Sequence, residues 1–233
     1  MVKEYHIKST EQSSIIETMQ IREEITRKFT SSFLYMIFLF AFGISIWLYL
    51  ENPFALLMGI FGCFINFVVD YGLWFRLMKT RTIKGIKSPV LFFILFMVYG
   101  IFQFSYAIIL FGNNLDQKII FSILIFGGLF LIGEISRFFG SSIEISRYIS
   151  PNHWFFRVIF VGIIYLILFF FIHNIILIFQ LFLIGIIVEA SLEIPLLLNR
   201  TRQFYWRQFI LNLLFEFNLG IPILYALFHY FSY

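Results

Sequence analysis

Residues 175–197 read IILIFQLFLIGIIVEASLEIPLL, a run as apolar as a bilayer interior that nonetheless holds two carboxylates, Glu189 and Glu193. About 20 apolar residues, rising 1.5 Å each, cross the ~30 Å hydrocarbon layer. Six further runs of this kind lie at about 33–50, 54–76, 89–111, 118–140, 155–172 and 208–231. The expected fold is all-α: a polytopic membrane bundle of seven transmembrane helices over 29–233, behind a polar tail at 1–28. Composition excludes a water-soluble monomer. The chain is 61% hydrophobic, 22% aromatic and 13% charged, whereas soluble domains carry about 25% charged residues.

The boundaries follow local chemistry. Pro53 and Pro89 stand at first turns, where a missing N–H costs nothing. The polar pair His173–Asn174 splits residues 154–198 into two spans with a tight turn. Thr10 to Phe29 is read as a solvated leader, with an amphipathic surface helix as the alternative. No secretory signal pattern opens the chain.

Basic residues set the expected orientation. Every Lys and Arg except Lys118 falls in the tail, or beside the second-to-third, fourth-to-fifth and sixth-to-seventh connections. Basic loops stay cytoplasmic. The N-terminus is therefore expected inside and the C-terminus outside, in the cell membrane. Trp47, Trp74, Trp154 and Trp206 fall at span ends, as interfacial anchors do. The net charge of +4 is a topology signal and points to no nucleic-acid partner. Cys63, the single cysteine, forms no intrachain disulfide and is read as packing. Gly59 and Cys63 have the small-xxx-small spacing that admits a close helix neighbour, and ordinary bundle packing is the favoured reason for it.

Five carboxylates then ask for a reason. Asp70, Glu134, Glu189, Glu193 and Glu216 interrupt the second, fourth, sixth and seventh spans, while the first, third and fifth carry none. A charge at mid-bilayer costs about 2.5–3.5 kcal/mol even on the lenient insertion scale. Their offsets from flanking arginines put all five at one level, roughly 9–16 Å from the inner surface. Asn66/Asp70, Glu189/Glu193 and Asn212/Glu216 are i,i+4 pairs, each on one helix face. The segregation predicts a shared interior of four helices, with the other three as cladding. The candidate site is Asn66, Asp70, Glu134, Arg137, Glu189, Glu193, Asn212, Glu216 and Asn218, with Arg137 as internal counter-ion. The alternative is structural: Arg76, Arg200 and Arg207 pair with nearby acids and lock the helices.

Such oxygens suit a proton or a hard cation such as Mg²⁺ or Ca²⁺. The four scattered histidines exclude a His-rich zinc site, and no resident cofactor is expected. The leading expectation is transporter- or channel-like handling of a cation, proton or small polar solute. The rivals are an enzyme on a lipid or isoprenoid, and an assembly subunit.

Two likenesses bear on this. The helix layout is similar to that of small sugar and PQ-loop transporters, but the Pro-Gln motif is missing and the N-terminus lies on the opposite side. The segment Asn66-Phe67-Val68-Val69-Asp70-Tyr71 resembles the acid-bearing second span of small seven-span membrane terpene cyclases. Ser136-Arg137-Phe138-Phe139-Gly140 is similar to a patch of theirs, in a different span. That resemblance implies acid catalysis on an isoprenoid, with Asp70 and Glu216 as the two acids.

Overall fold

A computed structural model of the chain describes residues 23–149, 151–201 and 205–231. Its elements are β1 (Glu23–Thr30), α1 (Ser31–Glu51), α2 (Pro53–Phe67), which continues as a π-helix over Val68–Leu77, β2 (Arg81–Lys84), α3 (Pro89–Phe96), α4 (Tyr99–Phe111), α5 (Leu115–Ser136), β3 (Ser142–Ile149), α6 (Pro151–Ile172), α7 (Ile175–Leu198), α8 (Trp206–Phe215) and α9 (Ile221–Phe231).

Side-chain caps start the helices where the sequence offers them. Thr30 Oγ1 accepts from the Phe33 N–H at 3.3 Å, Asn52 Oδ1 from Ala55 at 3.1 Å, and Asn114 Oδ1 from Gln117 at 3.0 Å. At the tight turn after α6, His173 takes a φ of 52°, and Asn174 Oδ1 caps α7 through the Leu177 N–H at 3.1 Å. The sixth and fifth runs are thus separate helices, as the polar pair predicts.

Among the described residues, six helical segments are long and apolar enough to cross a membrane: Ser31–Glu51, Pro53–Leu77, Pro89–Phe111, Leu115–Ser136, Phe155–Ile172 and Ile175–Leu198. The seventh run differs from the expected continuous helix. It breaks between α8 and α9 at residues 216–220, ahead of Pro222. Proline has no N–H to give the preceding turn.

The all-α expectation is corrected by a three-stranded antiparallel sheet in the order β1-β3-β2. β1 stands where a solvated leader was expected, with a helix as the alternative; residues 10–22 of that segment lie outside the described residues. The cause is a period of two. Arg27, Phe29, Arg81, Ile83, Ile143, Ile145 and Arg147 occupy one face, and Lys28, Lys84 and Glu144 the other. On that outer face Glu144 sits between Lys28 (3.4 Å) and Lys84 (3.8 Å). The end of the tail and two connections that look like basic loops thus form one amphipathic lid on the ends of the helices.

The cladding assignment is corrected as well. The third span, Pro89–Phe111, is the most enclosed: 72% of its apolar window is buried, against 11% for Phe155–Ile172 in α6. Small residues allow this. A Cβ on Gly100 would overlap the Gly62 and Cys63 backbone, and one on Gly59 would meet Ser105 Oγ. Ser105 Oγ in turn donates to the Ala55 carbonyl at 2.7 Å. α2 and α4 therefore pack backbone to backbone, as small-residue helix pairs do in membranes.

Candidate functional site: a charged cavity beneath the sheet

A cavity of about 640 Å³ lies between the inner face of the sheet and the helices. Its size falls in the ~300–1,000 Å³ range of small-molecule sites. Four of the five sequence-selected acids line it: Asp70 from the π-helix, Glu189 and Glu193 from α7, and Glu216 from the turn after α8. Glu189 and Glu193 are 3% and 5% exposed. Asn66 lines it one turn before Asp70.

The counter-charges come from elsewhere than expected. Arg81 Nη2 on β2 meets Asp70 Oδ1 at 2.8 Å. Arg27 Nη2 on β1 meets Glu193 Oε1 at 3.5 Å. Arg147 on β3 and Arg157 on α6 approach the two oxygens of Glu216, each at 3.6 Å. Arg147 also lies over the Trp74 ring, 5.8 Å from its centroid. Arg76, one of the sequence-adjacent partners considered above, instead donates to Tyr71 Oη at 2.9 Å.

The polar groups form two layers. Near the sheet, Asp70, Glu193 and Glu216 meet the four arginines. About 6 Å deeper, one turn along α7, Glu189 accepts from Gln103 Nε2 at 3.5 Å. Gln103 Oε1 accepts from Asn66 Nδ2 at 3.2 Å. Gln103 lies on α4, the central helix, and links α2 to α7 through these bonds.

Four of the expected site residues lie elsewhere. Glu134 pairs with Arg137 at 2.8 Å near the C-terminal end of α5, both more than a third exposed, and neither lines the cavity. Arg137 is thus a local partner rather than the internal counter-ion. Asn218 accepts the Tyr165 hydroxyl proton at 2.7 Å and donates to the Leu214 carbonyl at 2.8 Å. It packs against Gly185 and holds the broken seventh run to α6 and α7. Asn212 is fully buried but outside the cavity wall.

The sequence reading missed Arg27, Arg81, Arg147, Arg157, Gln103 and Gln208, all of which line the cavity. Their signal was present. Arginine on the apolar stripe of an alternating strand has to face inward with the isoleucines. Among the described residues no group of three or more His, Cys, Asp or Glu is placed to hold a metal ion. Guanidinium groups stand beside the acids where a cation would.

The other wall of the cavity is apolar and outward-reaching. Phe61 on α2, Phe156 and Phe160 on α6, and Ile223 on α9 line it, and each is exposed. The cavity therefore reaches the bundle surface between α2, α6 and α9. Contact between Phe54 and Phe228, with ring centroids 6.3 Å apart, joins α2 to α9 further along.

Compared with family models, curated proteins and solved structures, the chain matches none. Fold and site alone define its class. Its described residues are rich in helix, with six segments long and apolar enough for a lipid bilayer, and carry an amphipathic sheet over a charged internal cavity.

Proposed function

We propose that this chain is an integral membrane protein that admits a long-chain amphiphile sideways from the bilayer and acts on its polar head, as an enzyme or a carrier. The observation that carries this reading is the cavity's two-sided wall: ion pairs at the sheet end, and exposed apolar side chains of α2, α6 and α9 at the opening. A small polar solute needs no such apolar wall, whereas a hydrocarbon tail does. In this reading α8 and α9 together make a seventh, broken crossing. The N-terminus is cytoplasmic, the C-terminus outside, and the cell membrane is the host. Asp70 and Glu193, held by Arg81 and Arg27, flank the polar head. Glu189 with Gln103 and Asn66 lines the passage beyond it.

A photoreactive long-chain lipid incorporated with the protein tests the reading. Crosslinks should concentrate on Phe61, Phe156, Phe160 and Ile223 over the equally lipid-facing Leu39 and Phe42 of α1. An even spread over both surfaces contradicts it.

The convergence of Asp70, Glu189, Glu193 and Glu216 favours a second reading, proton or cation transfer, with Mg²⁺ or Ca²⁺ among the candidates. Vesicle flux that disappears in Asp70→Asn, Glu189→Gln and Glu216→Gln would support it. Unchanged flux in all three would remove it.

A further inference from the structure

Arg81 and Arg147 are directly opposed on neighbouring strands β2 and β3. Like charges placed so destabilise a sheet unless an anion lies between or beside them. Both side chains are nearly enclosed, at 10% and 11% exposure. Asp70 and Glu216 answer part of the charge from the flanks, but among the described residues Arg81 Nε and Arg147 Nη2 have no hydrogen-bond partner although both are buried. Gln208, 4% exposed in the same wall, likewise has Oε1 without a partner. Around the sheet end four guanidinium groups face three carboxylates.

We infer that Arg81 and Arg147, with Gln208 beside them, form an oxyanion subsite for the phosphate of a long-chain phosphate ester. This rests on the amphiphile reading and names the head that the site takes. Two separate guanidinium groups suit a tetrahedral anion with several acceptor oxygens. The Gln208 amide, able to donate or accept, meets a remaining oxygen or its proton. Buried donors left without partners are costly, so an anion that satisfies them binds with that penalty removed. Arg147 shows the same strain in its acid–base chemistry. Burial, and secondarily the charges of Arg81, Arg157 and Arg27, pull its guanidinium down from its usual value to about 9, with Glu216 opposing. The tail then leaves the phosphate past Phe156 and Phe160, toward the opening of the cavity.

The test uses the full chain in maltoside micelles, which carry no phosphate, with native mass spectrometry of bound ligand. The probes are hexadecyl phosphate, hexadecanol, palmitate and inorganic phosphate. Hexadecyl phosphate should bind roughly tenfold or more tightly than hexadecanol, as charge-assisted bonds to arginine allow. Arg81→Gln and Arg147→Gln should each lower that ratio toward one. Should a variant fail to fold, the wild-type ratio still decides. Equal binding of hexadecyl phosphate and hexadecanol overturns the subsite and leaves the amphiphile reading standing. Palmitate binding as tightly as hexadecyl phosphate overturns the choice of phosphate. Binding of neither chain, or displacement of hexadecyl phosphate by equimolar inorganic phosphate, overturns the amphiphile reading itself.

Discussion

Arg81 and Asp70 show what a single residue does in this protein. Their 2.8 Å pair is mostly enclosed, so removing one partner strands the other where water cannot solvate it. Arg81→Gln should lower stability by about 3–5 kcal/mol, and the Asp70→Asn/Arg81→Gln double variant should recover much of the loss. Thermal melting in detergent reads both. Glu144, between two exposed lysines on the outer face, is the contrast: Glu144→Gln should cost no more than about 1 kcal/mol. The acids were legible in the sequence because a carboxylate in an apolar run is conspicuous. Their partners were not. Arg27, Arg81 and Arg147 sit in polar connections, where arginine is ordinary, and only the strand alternation turns them inward. Glu134 misled for the opposite reason. The run 118–140 extends past the end of α5 at Ser136, so an acid counted as deep lies near the helix end beside Arg137.

At the scale of elements, apolar length identified six helices, and Pro53, Pro89 and the His173–Asn174 pair marked three of their starts. These signals did not reveal which helix is central. The segregation of acids pointed to the spans carrying them, but the sequence packs Pro89–Phe111 in the middle because Gly100 lets α4 approach α2 backbone to backbone. Gly100→Ala should therefore force the two helices apart and cost about 1–3 kcal/mol or more. The expected readout is a lower melting temperature and a weakened Asn66–Gln103–Glu189 chain. The same substitution at Gly127, where a Cβ meets nothing, should be neutral. The sheet was legible in principle, since SIEISRYI at 142–149 alternates strictly over its first five residues. Nothing local shows that three segments so far apart in sequence pair. Pairing of that kind is set by the helices that bring them to the same end. The break at 216–220 was half legible: Pro222 marks it, while Asn218 and Tyr165 hold it.

For the whole molecule, the sheet constrains topology more tightly than the charge count. β1, β2 and β3 are hydrogen-bonded to one another, so they share one side of any membrane, and an even number of crossings separates each from the next. In a Cys63→Ala background, Lys84→Cys and Ser142→Cys should react with an impermeant thiol reagent from the same side, the cytoplasmic one. Asn113→Cys, at the turn between α4 and α5, should react only from the other. Labelling of Lys84→Cys and Ser142→Cys from opposite sides would contradict the arrangement. The central claim is that the charged cavity opens sideways to hydrocarbon, and Trp74 on its wall reports on it. The deciding measurement is quenching of tryptophan fluorescence by a long-chain amphiphile brominated along its tail, in wild type and in Trp74→Phe. The account predicts saturable quenching that is largely lost in Trp74→Phe. Equal quenching in both proteins, rising without saturation, would mean that the tail only surrounds the bundle and never enters it.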